Sequence, residues 1–246
     1  MNIFKQHFAT MLIAAAVIIT GLILGKSYLS KGKPDDTVSV IGLGEESFDS
    51  DLIVWRASFS RKSFELKDAY AQLNSDVRKV KSYLKSRGIA EDDMVFEAAD
   101  ISKDWSRIYD DEGNVVQTIF DGYSLRQSLK VSSKKVNIVE QTSRQVSELI
   151  DAGIELNSEA PEYYYTKLAQ LKLKMIEAAT KDAFERAGKI AENGGGSLGK
   201  LKNADMGVFQ ITAENSSEDY EWGGSYNTSS RRKTASITIR LKYAID

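Results

Sequence analysis

The sequence predicts an α+β fold, a mainly antiparallel sheet with helices packed on one face, preceded by an N-terminal transmembrane or signal segment. Three observations carry this reading. Apolar residues recur at three- and four-residue steps over 63–87 and 168–192, which is the period of a half-buried helix. They alternate in period two over 52–60 and 234–244, which is the period of a strand with one buried face. Glycine- and asparagine-rich breaks separate the two kinds of segment.

Taken in order, residues 1–29 stand apart from the rest. Lys5 precedes an almost unbroken apolar run over 8–25, about the shortest length that spans a hydrocarbon core. Small residues fit a signal-peptidase site poorly at Gly25-Lys26-Ser27, so an uncleaved signal anchor is preferred to a cleaved signal peptide. Lysines flank both ends (Lys5; Lys26, Lys31, Lys33), and the positive-inside rule gives no orientation. Residues 30–36 (SKGKPDD) read as a linker, and 37–246 as one α+β domain. Two smaller lobes are the alternative.

Residues 37–44 (TVSVIGLG) predict a strand with a glycine bend, and 45–51 an acidic hairpin connection. In the next strand Ile53, Trp55, Ala57 and Phe59 share one face. The helix over 63–87 places Leu66, Tyr70, Leu73, Val77, Val80 and Leu84 on one stripe, with Ser63 as its cap and Gly88 as its stop. Residues 94–109 and 115–132 predict a long hairpin turning at 110–114, with a bulge or kink at Asp121-Gly122. A helix over 136–152 and a strand over 154–165 follow.

The stretch 168–205 organises the rest. Leu168, Leu171, Met175, Ala178, Ala179, Ala183, Ala187 and Ile190 form a stripe rich in alanine, which lets a helix lie close to a sheet. The helix stops at Asn193 and the glycines 194–196. A strand over 200–213, a loop over 214–233 and a closing strand over 234–244 complete the chain. In that last strand Ala235, Ile237, Ile239, Leu241 and Tyr243 face one side.

Composition narrows the chemistry. A chain of 246 residues supports one sizeable domain or two small ones, and a net charge of −2 argues against nucleic acid as a partner. With no cysteine and a single histidine, His7, thiolate chemistry, a histidine triad and a multi-histidine metal site are excluded within one chain. No spacing selects a catalytic residue, a metal ligand or a cofactor-binding motif, and the reading is of a non-enzymatic protein. The glycines of 194–199 (GGGSLG) leave a helix instead of entering one, so they read as a cap and turn, not a phosphate loop. Tyr163-Tyr164-Tyr165 reads as an aromatic strand end, or else as a platform for a ligand or a second subunit.

The most suggestive surface is the loop 219–233 (DYEWGGSYNTSSRRK). Tyr220, Trp222 and Tyr226 beside Arg231 and Arg232 match the residue types of a contact surface, since aromatics supply area and arginines supply paired hydrogen bonds. A plain hairpin loop is the alternative.

Several pieces together resemble the SIMPL-domain family, a group of mostly bacterial envelope proteins that includes periplasmic immunogenic proteins. They are VSVIGLGEESFDSD at 38–51, LKSRGIAEDDM at 84–94, GYSLRQSLKVSS at 122–133 with ELIDAGIEL at 148–156, the alanine-rich helix running into GGGSLGKLKNA, and the closing ITIRLKYAI. The resemblance implies an α+β fold in the periplasm or on an outer envelope face, an N-terminal export segment and, as in some members, ring- or channel-like homo-oligomers. It transfers no catalytic residue. The loop at 214–233 looks longer than the family's usual final connection. From these readings we expect an inner-membrane protein anchored through 8–25 with its domain in the periplasm, or a secreted one if the signal is cleaved. We expect the domain to self-associate as a homo-oligomer; a monomeric module using 219–233 is the alternative, its small-molecule ligand unknown.

Overall fold

The computed structural model describes the backbone of residues 2–31, 36–217 and 221–246, and the side chains of 11–28, 36–217 and 221–246. The elements in chain order are α1 (Asn2–Lys31), β1 (Thr37–Asp49), β2 (Leu52–Ser63), α2 (Leu66–Ser86), β3 (Met94–Phe96), β4 (Asp100–Tyr109), β5 (Val115–Ser133), α3 (Val136–Gln145), β6 (Leu156–Ser158), β7 (Glu162–Tyr164), α4 (Leu168–Asn193), β8 (Leu198–Met206), β9 (Gln210–Ala213) and β10 (Arg232–Ile245). The α+β class stands, with two sheets where the sequence suggested one. The first has the order β1-β10-β8, with β9 also on β10; the second has the order β3-β5-β2-β6, with β4 on β5 and β7 on β2.

The chain divides into two compact units. One holds 1–41, 183–205 and 240–246; the other holds 42–182 and 206–239. Four elements, β1, α4, β8 and β10, contribute residues to both.

The larger unit contains the second sheet. β2 and β5 pair antiparallel from Ile53↔Ser133 to Ser63↔Tyr123. The β2 alternation does what its period predicts: Ile53, Trp55, Ala57 and Phe59 are all buried. They join Leu73, Val80 and Leu84 of α2, Leu125, Leu129 and Val131 of β5, and Val139 of α3 in one core. That core is continuous apolar packing, the dominant favourable contribution to folding. The α2 stripe begins later than its sequence period implies, since Leu66 and Tyr70 are exposed. Ser63 ends β2 and does not cap the helix; Glu65 holds the cap position without a side-chain hydrogen bond.

In the same unit, Leu171, Met175 and Ala179 of α4 are buried, as are Ile211, Ala235 and Ile237 of the first sheet. Gly44 explains how closely α4 approaches β1. A Cβ at position 44 would lie 2.4 Å from the Met175 carbonyl oxygen and 3.2 Å from the Ala179 nitrogen. Gly44 therefore sits inside an unbroken strand as a point of backbone approach, not at a bend. The smaller unit buries Val38, Val40, Ala183, Ala187, Ala191, Leu241 and Tyr243, and stacks the Phe184 ring edge-on to Tyr243 with centroids 6.0 Å apart.

Other boundaries differ for identifiable reasons. β1 continues through the acidic residues to Asp49, because Glu45 and Asp49 face outward and Glu46 pairs with Lys174 at 2.7 Å. The helix expected over 136–152 is α3 followed by a 3-10 segment, Val146–Ala152. The strand expected over 154–165 is two short strands, with Pro161 between them removing a backbone donor. The strand expected over 200–213 is β8 and β9, separated at Gly207-Val208-Phe209.

The apolar segment forms a helix, and its 18 residues Met11–Tyr28 are long and apolar enough to cross a membrane. Its described side chains are exposed throughout. This is compatible with a signal anchor or a signal peptide. Most of the linker, residues 32–35, lies outside the described residues.

Candidate interaction surfaces

The loop between β9 and β10 is stitched to its own base. The side chain of Gln210, almost fully buried, donates to the Glu221 carbonyl at 2.8 Å and accepts from the Ser225 amide at 2.8 Å. The Asn227 amide donates to the Ile211 carbonyl at 2.8 Å, and the Ile211 amide to the Ser225 carbonyl at 2.8 Å. A short parallel bridge, Ile211↔Tyr226, results. These bonds satisfy backbone groups that a free loop would leave to water.

The fold brings this loop to the tyrosine triplet. The Tyr163 amide donates to the Thr228 carbonyl at 2.7 Å, and the Tyr165 amide to the Tyr226 hydroxyl at 3.3 Å. The Tyr164 and Tyr226 rings lie 6.4 Å apart. The Lys233 side chain is fully buried; its ammonium donates to the Ser230 carbonyl and lies 5.9 Å from the Tyr163 ring centre. Burial pushes the Tyr163 phenol above its ordinary pKa.

Two of the sequence-predicted contact residues are occupied within the fold. Arg231 donates to the Asn137 side-chain oxygen at 2.6 Å and pairs with Glu140 at 3.1 Å. Arg232 pairs with Glu214 at 2.6 Å, and the hydrogen bond from Arg232 holds the Glu214 carboxyl below its usual range. Tyr226 stands at the junction just described with 39% of its surface exposed. Tyr220 lies outside the described residues. Trp222 is the one that points fully into solvent, with a relative exposure of 101%. It stands at a groove of about 390 Å³ whose apolar walls include Leu43, Val208 and Ile237, with Thr238 beside them.

A second surface has no counterpart in the sequence reading. β2 ends at Ser63, opposite Tyr123, so β4 and the first part of β5 continue past it as a two-stranded ribbon. The ribbon closes at a turn where Asp110 accepts from the Glu112 and Asn114 amides at 3.0 and 2.8 Å. Those amides hold the Asp110 carboxyl below its usual range. The bulge expected at Asp121-Gly122 is present: Asp104 pairs with Gly122 and Trp105 with Phe120, leaving Asp121 unopposed. Lys62 fixes it by bonding Asp121 at 2.7 Å and Asp104 at 3.2 Å. Gly122 takes φ of +108°, and a Cβ there would lie 2.8 Å from the Ser63 carbonyl oxygen.

The ribbon carries aromatic side chains without a covering layer. Phe120 lies at the centre, with ring centroids 5.5 Å from Trp105, 5.2 Å from Tyr123 and 6.5 Å from Phe64. Trp105 and Phe64 are 57% and 66% exposed, and Ile101, Tyr109 and Val116 are exposed too. Among the described residues, the outer edge of β4 pairs with no strand. The signal for this surface was in the sequence, in the alternation Ile101, Trp105, Tyr109; what it lacked was the length of β2.

Among the described residues, no group of three or more His, Cys, Asp or Glu side chains is placed to hold a metal ion. What these features define is an α+β protein with an exposed strand edge and aromatic side chains open to solvent. The chain belongs to the SIMPL family, described as proteins of unknown function (DUF541), whose model matches residues 38–242. That membership fits a non-enzymatic envelope protein. No curated protein matches the chain.

Proposed function

We propose that this is a non-enzymatic envelope protein that self-associates through the β4–β5 ribbon. In this reading α1 anchors it in the inner membrane, the domain faces the periplasm, and the copies build a ring- or channel-like scaffold. The observation that carries it is the ribbon itself, an unpaired strand edge beside an exposed aromatic strip. An exposed edge is a template for another strand, and a stable fold normally blunts or covers it.

A second copy suits this edge by its apolar order. β4 sets Ile101, Trp105 and Tyr109 on one face at four-residue steps. Antiparallel pairing of two such strands about a two-fold axis at Trp105 sets Trp105 opposite its counterpart and Ile101 of each copy opposite Tyr109 of the other, aromatic and β-branched pairs that stabilise a sheet. Such a contact is isologous and joins copies in pairs; closure into a ring takes a second contact. The test is the absolute mass of the full chain in a neutral detergent, measured by light scattering with and without Trp105→Ser. A multimer that Trp105→Ser reduces to smaller species supports the reading; a parent that is monomeric, or a multimer that ignores the substitution, counts against it.

The full exposure of Trp222 beside an apolar groove supports a second reading, a monomeric module that holds an envelope ligand there. Pull-down of cell-wall fragments by the parent and by Trp222→Ala tests it. Equal retention by both proteins removes Trp222 from any binding role.

A further inference from the structure

The N-terminus of α3 opens into a cleft of about 540 Å³ within the larger unit, separate from the ribbon and from the Trp222 groove. Its walls include Lys134, Lys135, Lys167 and Arg231, four cations against the single acid Asp51. The Asp51 carboxylate is already engaged, accepting from the Thr166 amide and hydroxyl at 2.7 Å each. Among the described residues, Lys134 and Lys167 form no ion pair. Lys135 reaches the Gly88 carbonyl at 3.3 Å, and Arg231 is held by Asn137 and Glu140.

This placement of charge is opposite to what the helix alone favours. A helix N-terminus carries partial positive charge and is stabilised by acids in its first turn. α3 has no acid there, its cap residue Lys135 makes no side-chain cap bond, and lysines 134 and 135 sit at the positive end. The first amides of the helix, those of Val136 and Asn137, have no acceptor among the described residues. An anion in the cleft would reverse each of these unfavourable terms.

A second observation points the same way independently of the helix. Ser50 lines the cleft and is 5% exposed, its amide donates to the Arg231 carbonyl at 2.9 Å, and its hydroxyl has no partner. A buried hydroxyl without a partner is rare in a folded protein and marks a place where a water, ion or ligand completes the bonding.

We propose that this cleft binds a phosphoryl group, with the Val136 and Asn137 amides as backbone donors, Lys134 and Lys167 as the charge partners, and Ser50 as a further hydrogen-bonding group. Backbone amides at a helix start with flanking cations form a standard oxyanion site. The cleft is larger than a bare phosphate, so it has room for the rest of a phosphorylated molecule. A soluble phosphate ester and a phospholipid headgroup present the same chemistry.

The test follows the amide resonances of Val136 and Asn137 in the full chain. In neutral detergent the probes are inorganic phosphate and sodium chloride at matched ionic strength. In lipid nanodiscs the comparison is phosphatidylcholine alone against phosphatidylcholine with phosphatidylglycerol. Saturable shifts with phosphate beyond those with chloride support the site and a soluble source; shifts seen only with phosphatidylglycerol support it with a headgroup as source. Lys134→Ser combined with Lys167→Ser weakens either response about tenfold, as two partly exposed charge contacts should. Unmoved resonances, equal shifts with chloride, or unchanged affinity in the double variant would overturn the proposal.

Discussion

At Gly44 a single hydrogen atom decides how a strand and a helix meet. The alanine stripe of α4 was visible in the sequence, and so was the glycine, but their pairing was not. Residues 44 and 175 are far apart in the chain, and nothing local says that one faces the other. Gly44→Ala forces a methyl group into the Met175 carbonyl, 2.4 Å from the required Cβ position. The backbone must shift, so we expect a loss of about 1–3 kcal/mol, typical of overpacking at a tight contact. Denaturant unfolding of the variant and parent checks it; equal midpoints would mean that β1 and α4 are not in close contact. The arginines of the loop teach the same lesson about side chains. Residue type suggested that Arg231 and Arg232 were available to a partner, whereas the fold engages them with Glu140 and Glu214. Trp222 has no such internal role, which is why the test of the binding-module reading rests on it.

Elements were legible wherever one face is buried against a layer. The period of β2 named Ile53, Trp55, Ala57 and Phe59, and the period of β10 named Ala235, Ile237, Ile239, Leu241 and Tyr243; all nine are buried. Boundaries were less legible, because they depend on what the neighbouring strand does. The reach of β1 through Glu45 and Glu46 depends on outward-facing acids being tolerated in a strand, and Ser63 extends a strand instead of capping a helix because it pairs with Tyr123. The ribbon is the clearest case. Its alternation was readable, but alternation gives one face of each strand without saying whether anything covers it. Trp105 is 57% exposed and its ring meets Phe120 edge-on, so Trp105→Ser should cost about 0.5–1.5 kcal/mol, the worth of one aromatic pair. A variant that stays folded while losing mass therefore separates a lost interface from a lost fold.

At the scale of the whole molecule, anchoring by α1 bears on whether the proposed ribbon contact forms. The 18 residues Met11–Tyr28 span about 27 Å as a helix, close to the thickness of a hydrocarbon core. Anchoring by such a helix confines copies to a plane and raises their effective concentration, so a contact too weak to persist in dilute solution can form there. The chain has no cysteine, so one introduced at the ribbon reports on that contact alone. Ser106→Cys places a thiol beside Trp105 on exposed β4, next to the axis of the antiparallel pairing proposed above. A short bifunctional thiol reagent should link the full-length variant into pairs in phosphatidylcholine vesicles. A fragment of residues 36–246 with the same substitution, at the same total concentration in solution, should remain largely unlinked. Adding Trp105→Ser to the full-length variant should abolish the linkage. If the fragment links as readily as the full chain, the ribbon contact needs no membrane; if neither links while both retain their folded structure, β4 is not where two copies meet.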